Sequence, residues 1–471
     1  MTKNKLSFIA LSVTSIFFSF HINASKNIIV DSNKSKDLAI KIKDGIEHIN
    51  ITKTNNPGIS HNYYQKFNVS EKGAVLDNTA VGANIIINEV TSAEKSFLKG
   101  NLRINGQEAN VMVINPYGIE CDGCSTSGVS EFTLRSRTLS DNLMDVQGYG
   151  AANGNTFMMN ELPSSANQIV FKNISQPINA NGSLMVDADR VAIIDGDLQH
   201  NQHYKLIMNH NEAIIANKVT IKSNDLFIDH RVAMNFDQLK MNIAGKVNNY
   251  GELIANNVDI EVQGDFINHR DAELNIGGNN NDKLNNSNFK AAKLKVDHAY
   301  FDIVNTKIKF DIDEFNSLNG QLGLINSIVT INSNKFFNEN DYKKNDQHHI
   351  EENLSDGAIL LDNTKFIINS KEIINKAVIR GNGSLEIKAN SFIGRNNIKI
   401  MGKKTTKIGQ YTINKNGEVK ITVNGLLDTY GSKIAASNSL IINTQKLKAK
   451  KGDIKIINRN KNIKPIVRIA D

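Results

Sequence analysis

Residue types that carry chemistry are few in this chain and widely scattered. The two cysteines stand together in Cys121-Asp122-Gly123-Cys124. A zinc site of four thiolates needs a second such pair, which is absent. A thioredoxin-like redox pair opens a helix in a βαβ unit, whereas the flanks here read as Gly-rich loop. In an exported chain the expected state is a local disulfide clamping a turn, with a free or transient thiol pair as the alternative. So small a ring stabilises by about 2 kcal/mol or less. His348-His349 is a lone pair in a charged loop, and no metal site is expected from it. Asp187 and Asp189 alternate with Val186 and Ala188 and so would share an outward strand face; Asp195 and Asp197 would do the same. Carboxylates clustered on one face are what polysaccharide cleavage needs, but a solvated strand face has the same pattern. Neither an enzyme nor a cofactor is expected.

The elements that would position these residues are strands. Asn makes up 68 of the 471 residues, with 31 Gly, 5 Pro and no Trp. Helical proteins lean on Ala, Leu, Glu and Arg, so an all-helical bundle is excluded. Val, Ile and Thr favour strands, while Asn and Gly favour the left-handed turns between them. The net charge of +7 reads as spread along the chain rather than gathered in a basic stripe, so no nucleic-acid partner is expected. At the N-terminus, Lys3 and Lys5 precede the uncharged run Leu6–Phe20, and His21-Ile22-Asn23-Ala24 follows. This reads as a secretory signal peptide over residues 1–24, cut between Ala24 and Ser25. The run is shorter than the roughly 20 residues a spanning helix needs, and no later segment approaches that length.

Strands are expected at 83–90, at 109–114 (stopping at Asn115-Pro116) and within 184–194. Beyond Ile193 the pattern predicts short segments of four to six residues, each closed by Asn, Gly or Asp. An internal repeat organises them. Residues 211–221 match 250–260 at an offset of 39, and 245–249 match 264–268 at an offset of 19. A unit of 19 to 20 residues with two or three short strands is solved physically as one turn of a parallel β-helix. Apolar residues then fill a narrow core, and Asn stacks in corner ladders. A β-sandwich with Asn-rich loops is the alternative, and the fixed period argues against it. Loops are expected near 277–290, as a boundary, and near 338–352.

Residues 49–139 carry a longer text. It runs through Gly58-Ile59-Ser60-His61-Asn62-Tyr63-Tyr64, Gly73-Ala74-Val75-Leu76-Asp77-Asn78, Asn84-Ile85-Ile86-Ile87-Asn88-Glu89-Val90, and Asn115-Pro116-Tyr117-Gly118-Ile119. This resembles the secretion domain of two-partner secretion exoproteins, the filamentous haemagglutinin and haemolysin family. A looser resemblance runs over 25–270, leaving 271–471 as continuing β-helical repeats. The resemblance implies an all-β fold, a right-handed parallel β-helix with extra-helical hairpins near the N-terminus. It implies passage through the periplasm and recognition by an outer-membrane β-barrel transporter with periplasmic polypeptide-transport-associated domains. The exoprotein is then secreted or held at the bacterial cell surface. In that family an Asn-Pro motif is tied to secretion. Asn115, Pro116, Tyr117 and Gly118 match its second copy, with Tyr117 replacing the usual Asn, while Asn56-Pro57-Gly58 departs from the first. The motif is either a turn that lets the first coils form or a direct contact for the transporter. A Cys-x-x-Cys after the motif is typical of the haemolysin branch, and Cys121 and Cys124 hold that place.

Outside the cell the resemblance leaves an adhesin-like rod meeting a host-cell surface or membrane, or a cytolysin of the same family in truncated form. Lys446 to Asp471 keeps the Lys/Ile/Asn composition of the rest, so no C-terminal toxin module is expected.

Overall fold

The computed structural model describes residues 26–54, 58–137, 167–174, 177–194, 211–230, 232–278, 284–340, 357–401, 417–457 and 464–470. Every regular element among them is a strand. Parallel pairing joins His61, Ile87, Met112, Thr133, Met185, Thr220, Lys240, Asp259, Asn288, Lys309, Thr330, Ile367, Glu386, Lys420, Ile441 and Ile466 into one unbroken column. Fifteen steps at the ordinary inter-strand spacing make a rod about 70 Å long. This is a parallel β-helix.

Coils in the second half of the chain have three sides. Asn285–Asp297 and Thr306–Leu318 are long strands that cover two of them, and Glu273–Gly277, Tyr300–Val304 and Gln321–Ile325 are short ones on the third; Glu252–Asn268 runs over all three, its first residues pairing with Glu273–Ile276. The expectation of uniformly short segments is corrected here. At one corner Gly264, Ala292 and Asp313 stay within the strand, so the strand does not end there. The 39-residue repeat is two coils, since Ala216 pairs with Phe236 and Phe236 with Ala255. The 19-residue repeat is a direct pairing of Val247 with Phe266. The expected loop at 277–290 is also shorter than predicted, because Asn285–Lys290 already lies in a strand and Ile260 pairs with Phe289 across the expected boundary. At 338–352, Asn338 and Glu339 still belong to a strand, and 341–352 lie outside the described residues.

One core runs from Ile28 to Ile442. Its central file is Ile260, Phe289, Phe310, Ile331, Ile368, Ile387, Ile421 and Ile442, one side chain per coil, each at most 2% exposed. Burying each such side chain is worth about 1.5–3 kcal/mol. Corners are held by amides. Asn305, Asn326 and Asn363 all adopt φ near +50°, where Asn is tolerated better than most residues, and Asn363 Nδ2 donates to Asn326 Oδ1 at 3.1 Å. Asn249 Nδ2 donates to Asn268 Oδ1 at 2.6 Å, one coil on.

The N-terminal end is built differently. Ile28–Val30 pairs antiparallel with Ile59–Phe67 and covers the first coil. An antiparallel hairpin, Ala39–Lys43 with Ile46–Asn50, turns at Asp44 and Gly45, both at positive φ. Its inner strand begins a small second sheet that continues in parallel through Ala74–Asn78, Asn101–Gly106 and Ser125–Ser127.

Candidate functional site

The Asn-Pro segment is the turn between strand Ala109–Ile114 and strand Ile119–Asp122. Pro116 has no N–H to give the ladder, which ends the first strand. Gly118, at φ 111°, supplies a backbone geometry that side chains resist. Asn115 is fully buried. Its Nδ2 donates to the Glu94 carbonyl at 2.8 Å and to Ser96 Oγ at 2.9 Å, and its Oδ1 accepts the Tyr117 N–H at 2.9 Å. Its own N–H donates to the Arg135 carbonyl, and its carbonyl accepts the Ser136 hydroxyl. The Pro116 carbonyl accepts the Asn167 N–H. One turn therefore stitches the coil before it to the coils after it. Of the four motif residues only Tyr117, at 43% exposure, faces solvent substantially.

Three residues beyond the turn, Cys121 is joined to Cys124 by a disulfide with Cα atoms 5.1 Å apart; both are buried, and Cys121 stands in the ladder between Leu98 and Phe171. Glu120 points the other way. It bonds Lys95 Nζ at 2.7 Å from the preceding coil and Lys172 Nζ at 2.6 Å from the following one. Burial pushes the Glu120 carboxyl up, but hydrogen bonds from Lys172 and Lys95 outweigh it and hold the group below its ordinary range. The hydrogen bond to Glu120 raises Lys172 in turn. Neither lysine was legible as a partner, because each lies on a different coil.

Other motif residues are structural as well. Asn78 clamps the turn after its strand, donating to the Ala83 carbonyl at 2.9 Å and accepting the Ala83 N–H at 2.7 Å. Tyr64, fully buried, donates to Asn88 Oδ1 at 2.9 Å, and burial raises its hydroxyl pKa strongly. At Gly73 an added Cβ would meet the Asn101 carbonyl oxygen at 2.5 Å.

Asp187 corrects an expectation. It lies on the outer face yet is buried, not solvated, with Arg135 Nε at 3.7 Å and Arg137 Nε at 3.4 Å, while Asp189 meets Arg137 Nη2 at 3.2 Å. The alternation was right locally, but the outer face of these early coils is itself covered: Ile59, Ile87, Met112 and Ile114 form a second buried cluster there. Ala24, Ser25, Asn56, Asp195, Asp197, His348 and His349 lie outside the described residues. Among the described residues no helix is long and apolar enough to cross a membrane.

Fold and turn together define a capped β-helical solenoid whose leading coils are locked by a buried Asn-Pro turn. Residues 26–286 match the family model described as the TPS secretion domain, and the chain belongs to that two-partner secretion family. Membership implies a dedicated outer-membrane transporter as the second partner and export across the outer membrane. The chain is 39% identical over 128 residues to the tRNA nuclease CdiA of Yersinia mollaretii, covering 23% of this chain and 4% of that protein. It is 30% identical over 221 residues to a hemolysin of Proteus mirabilis, covering 42% of this chain and 14% of that protein. The chain thus spans a small fraction of the length of these relatives. The crystal structure of the HMW1 secretion domain from Haemophilus influenzae aligns at 12% identity over 91% of this chain and 96% of that one, with a TM-score of 0.30.

Proposed function

We propose that this chain is an exoprotein delivered to the periplasm by a cleaved 24-residue signal peptide and exported by a β-barrel carrying polypeptide-transport-associated domains. Outside, it acts as an adhesive rod at the cell surface or released from it. The observation that carries the reading is the closed hydrogen-bonding of Asn115: its side chain has no polar atom left for a partner. The motif therefore serves secretion by letting the first coils fold, and Tyr117 is the part of it that a transporter can touch. A binding role fits better than a catalytic one, since Asp187 is engaged by two arginines.

The test is export with the cognate transporter co-expressed. Asn115→Ala is expected to cut the yield of folded, protease-resistant protein outside the cell. Tyr117→Ala is expected to leave folding intact, so any fall in export for that variant measures contact. If Asn115→Ala were exported and folded normally, the reading of the turn as a folding element would be lost. A cytolysin is the second reading, favoured by the similarity to the Proteus mirabilis hemolysin and by Cys121 and Cys124. Red cells mixed with producing bacteria separate the two: binding without lysis supports the rod, and lysis supports the cytolysin.

A further inference from the structure

An open groove runs lengthwise over the coils of the second half of the rod, along the corner that the long strands pass without ending. Its first stretch encloses about 550 Å³ and its second about 350 Å³, and the two meet at Ser333. In the first stretch each coil gives it three consecutive residues, such as Asp311-Ile312-Asp313 and Asn332-Ser333-Asn334. The middle residue of a set turns into the core: Val262, Ala291, Ile312, Ser370 and Ala389 are each at most 8% exposed. Its two neighbours point outward and form the walls. One wall is a continuous ladder from Glu261 through Asp311 and Asn369 to Thr422, six pairings that join seven coils. At the ordinary inter-strand spacing that is about 29 Å.

The walls are made of amides and balanced charges. On one wall Asn332 Nδ2 donates to Asp311 Oδ1 at 2.7 Å, and Asn369 Nδ2 donates to Asn332 Oδ1 at 2.9 Å. On the other, Asn334 Nδ2 donates to Asp313 Oδ1 at 3.0 Å. These bonds fix each amide and leave it a second N–H. Among the described residues that line the groove, Glu261, Asp311 and Asp313 stand against Lys290, Lys371 and Lys388, three acids and three lysines, so there is no net charge. Such a lining limits the occupant. A polyanion finds no excess of positive charge. A nucleobase finds no aromatic ring to stack on among these residues. An extended peptide finds no open ladder, because Val262, Ala291 and Ser370 are each already paired to the coil before and the coil after.

We propose that this groove binds a neutral, extended polysaccharide laid along the rod, with about one sugar unit per coil. A sugar hydroxyl both donates and accepts, as a carboxamide does, so a row of hydroxyls matches a row of Asn and Gln without needing a charge. The coil spacing is close to the length of one sugar unit in an extended chain, so successive units meet the same kind of side chain at each step. The core-facing middle residues keep the floor low, which lets the sugar chain lie between the walls. The inference rests on the adhesive reading and gives it a ligand class. It is tested on purified chain in solution, so its failure is distinct from a failure in the export or red-cell tests.

Cellohexaose, chitohexaose and β-mannohexaose are titrated into the chain, with maltohexaose, whose α-linkages coil it, and a heparin hexasaccharide as controls. At least one of the three extended sugars is expected to bind more tightly than either control. Its affinity is expected to rise from the trisaccharide to the hexasaccharide, as more coils are engaged. Asn334 and Asn390 are exposed on the groove wall, and Asn334→Ala and Asn390→Ala should each lower the affinity about fivefold. Ala292→Trp, which fills the groove from the outer side of its strand, should abolish binding. The far-UV spectrum checks that each variant is folded, and the two alanine variants keep the test open if Ala292→Trp is not. The proposal is overturned if none of the three sugars binds, if the coiled control binds as well, or if binding is indifferent to the asparagine changes. Tighter binding of the heparin hexasaccharide would also overturn it and assign the groove to polyanions.

Discussion

At Asn115 a single amide does the work of several turn residues. Truncating it removes the partner of the buried Ser96 hydroxyl and of the partly buried Glu94 carbonyl and Tyr117 N–H. Asn115→Ala should therefore cost about 2–4 kcal/mol in denaturant unfolding, because leaving buried polar groups unsatisfied is expensive. Tyr117→Ala, at an exposed position, should stay within about 0.5 kcal/mol. Glu120 makes a pH prediction. Its folded carboxyl is held low despite burial, by Lys172 and Lys95, so its stabilisation is fully present above the ordinary Glu value. That contribution is lost as pH falls through the depressed folded value. Unfolding midpoints measured down the acid limb should fall less steeply in Glu120→Gln than in the parent protein. A parallel acid limb in the two would remove Glu120 from the account. The Asn-Pro turn was legible because Pro ends strands wherever it sits. Glu120 was not, since the sequence does not say which lysines lie one coil above and below it.

Strands and corners share the labour differently from what local pattern suggests. The period was readable because the same side chain type recurs at each coil, as in the isoleucines and phenylalanines of the central file. Strand length was not, because Asn and Gly look like stops when read along the chain, yet Asn256, Asn257 and Gly264 all lie within one strand. Asp187 shows the same limit: alternation tells which residues share a face, not whether that face is covered. Phe310 packs against Phe289 and Phe301, with ring centroids 5.3 and 5.9 Å apart. Phe310→Ala should cost about 3–5 kcal/mol, since the stacked side chains of a narrow core have little freedom to collapse into the cavity. Asn268→Ala should cost less, about 1–3 kcal/mol, through the lost bond from Asn249 and the unsatisfied Tyr300 carbonyl. Equilibrium unfolding of the two variants ranks the core file against the corner ladder; an equal or reversed ranking would shift the main support to the amides.

Stacked coils make the molecule nearly one-dimensional, so stability is close to a sum of coil terms and interfaces between neighbours. The steps along the column vary: Ile331 pairs with Ile368 and Ile387 with Ile421, whereas Phe310 pairs with Ile331 only 21 positions on. Steps of different length thus feed the same file of core positions. A whole step should therefore be removable. Removing residues 307–327 takes out one whole coil, because Lys307 and Ile328 occupy equivalent places in the ladder. Thr306 would then run into Ile328, and Asn305, already at left-handed φ, would stand where Asn326 stood beneath Asn363. Phe289 would meet Ile331 in place of Phe310. The shortened chain should keep a strand-dominated circular dichroism spectrum and a single unfolding transition slightly below that of the parent. Removing only residues 307–316 deletes about half a coil and puts core positions out of phase with their neighbours. That chain should unfold in two steps, as separate blocks on either side of the defect. If both deletions behaved alike, the coils would not be independent units, and the additive picture of the rod would have to be given up.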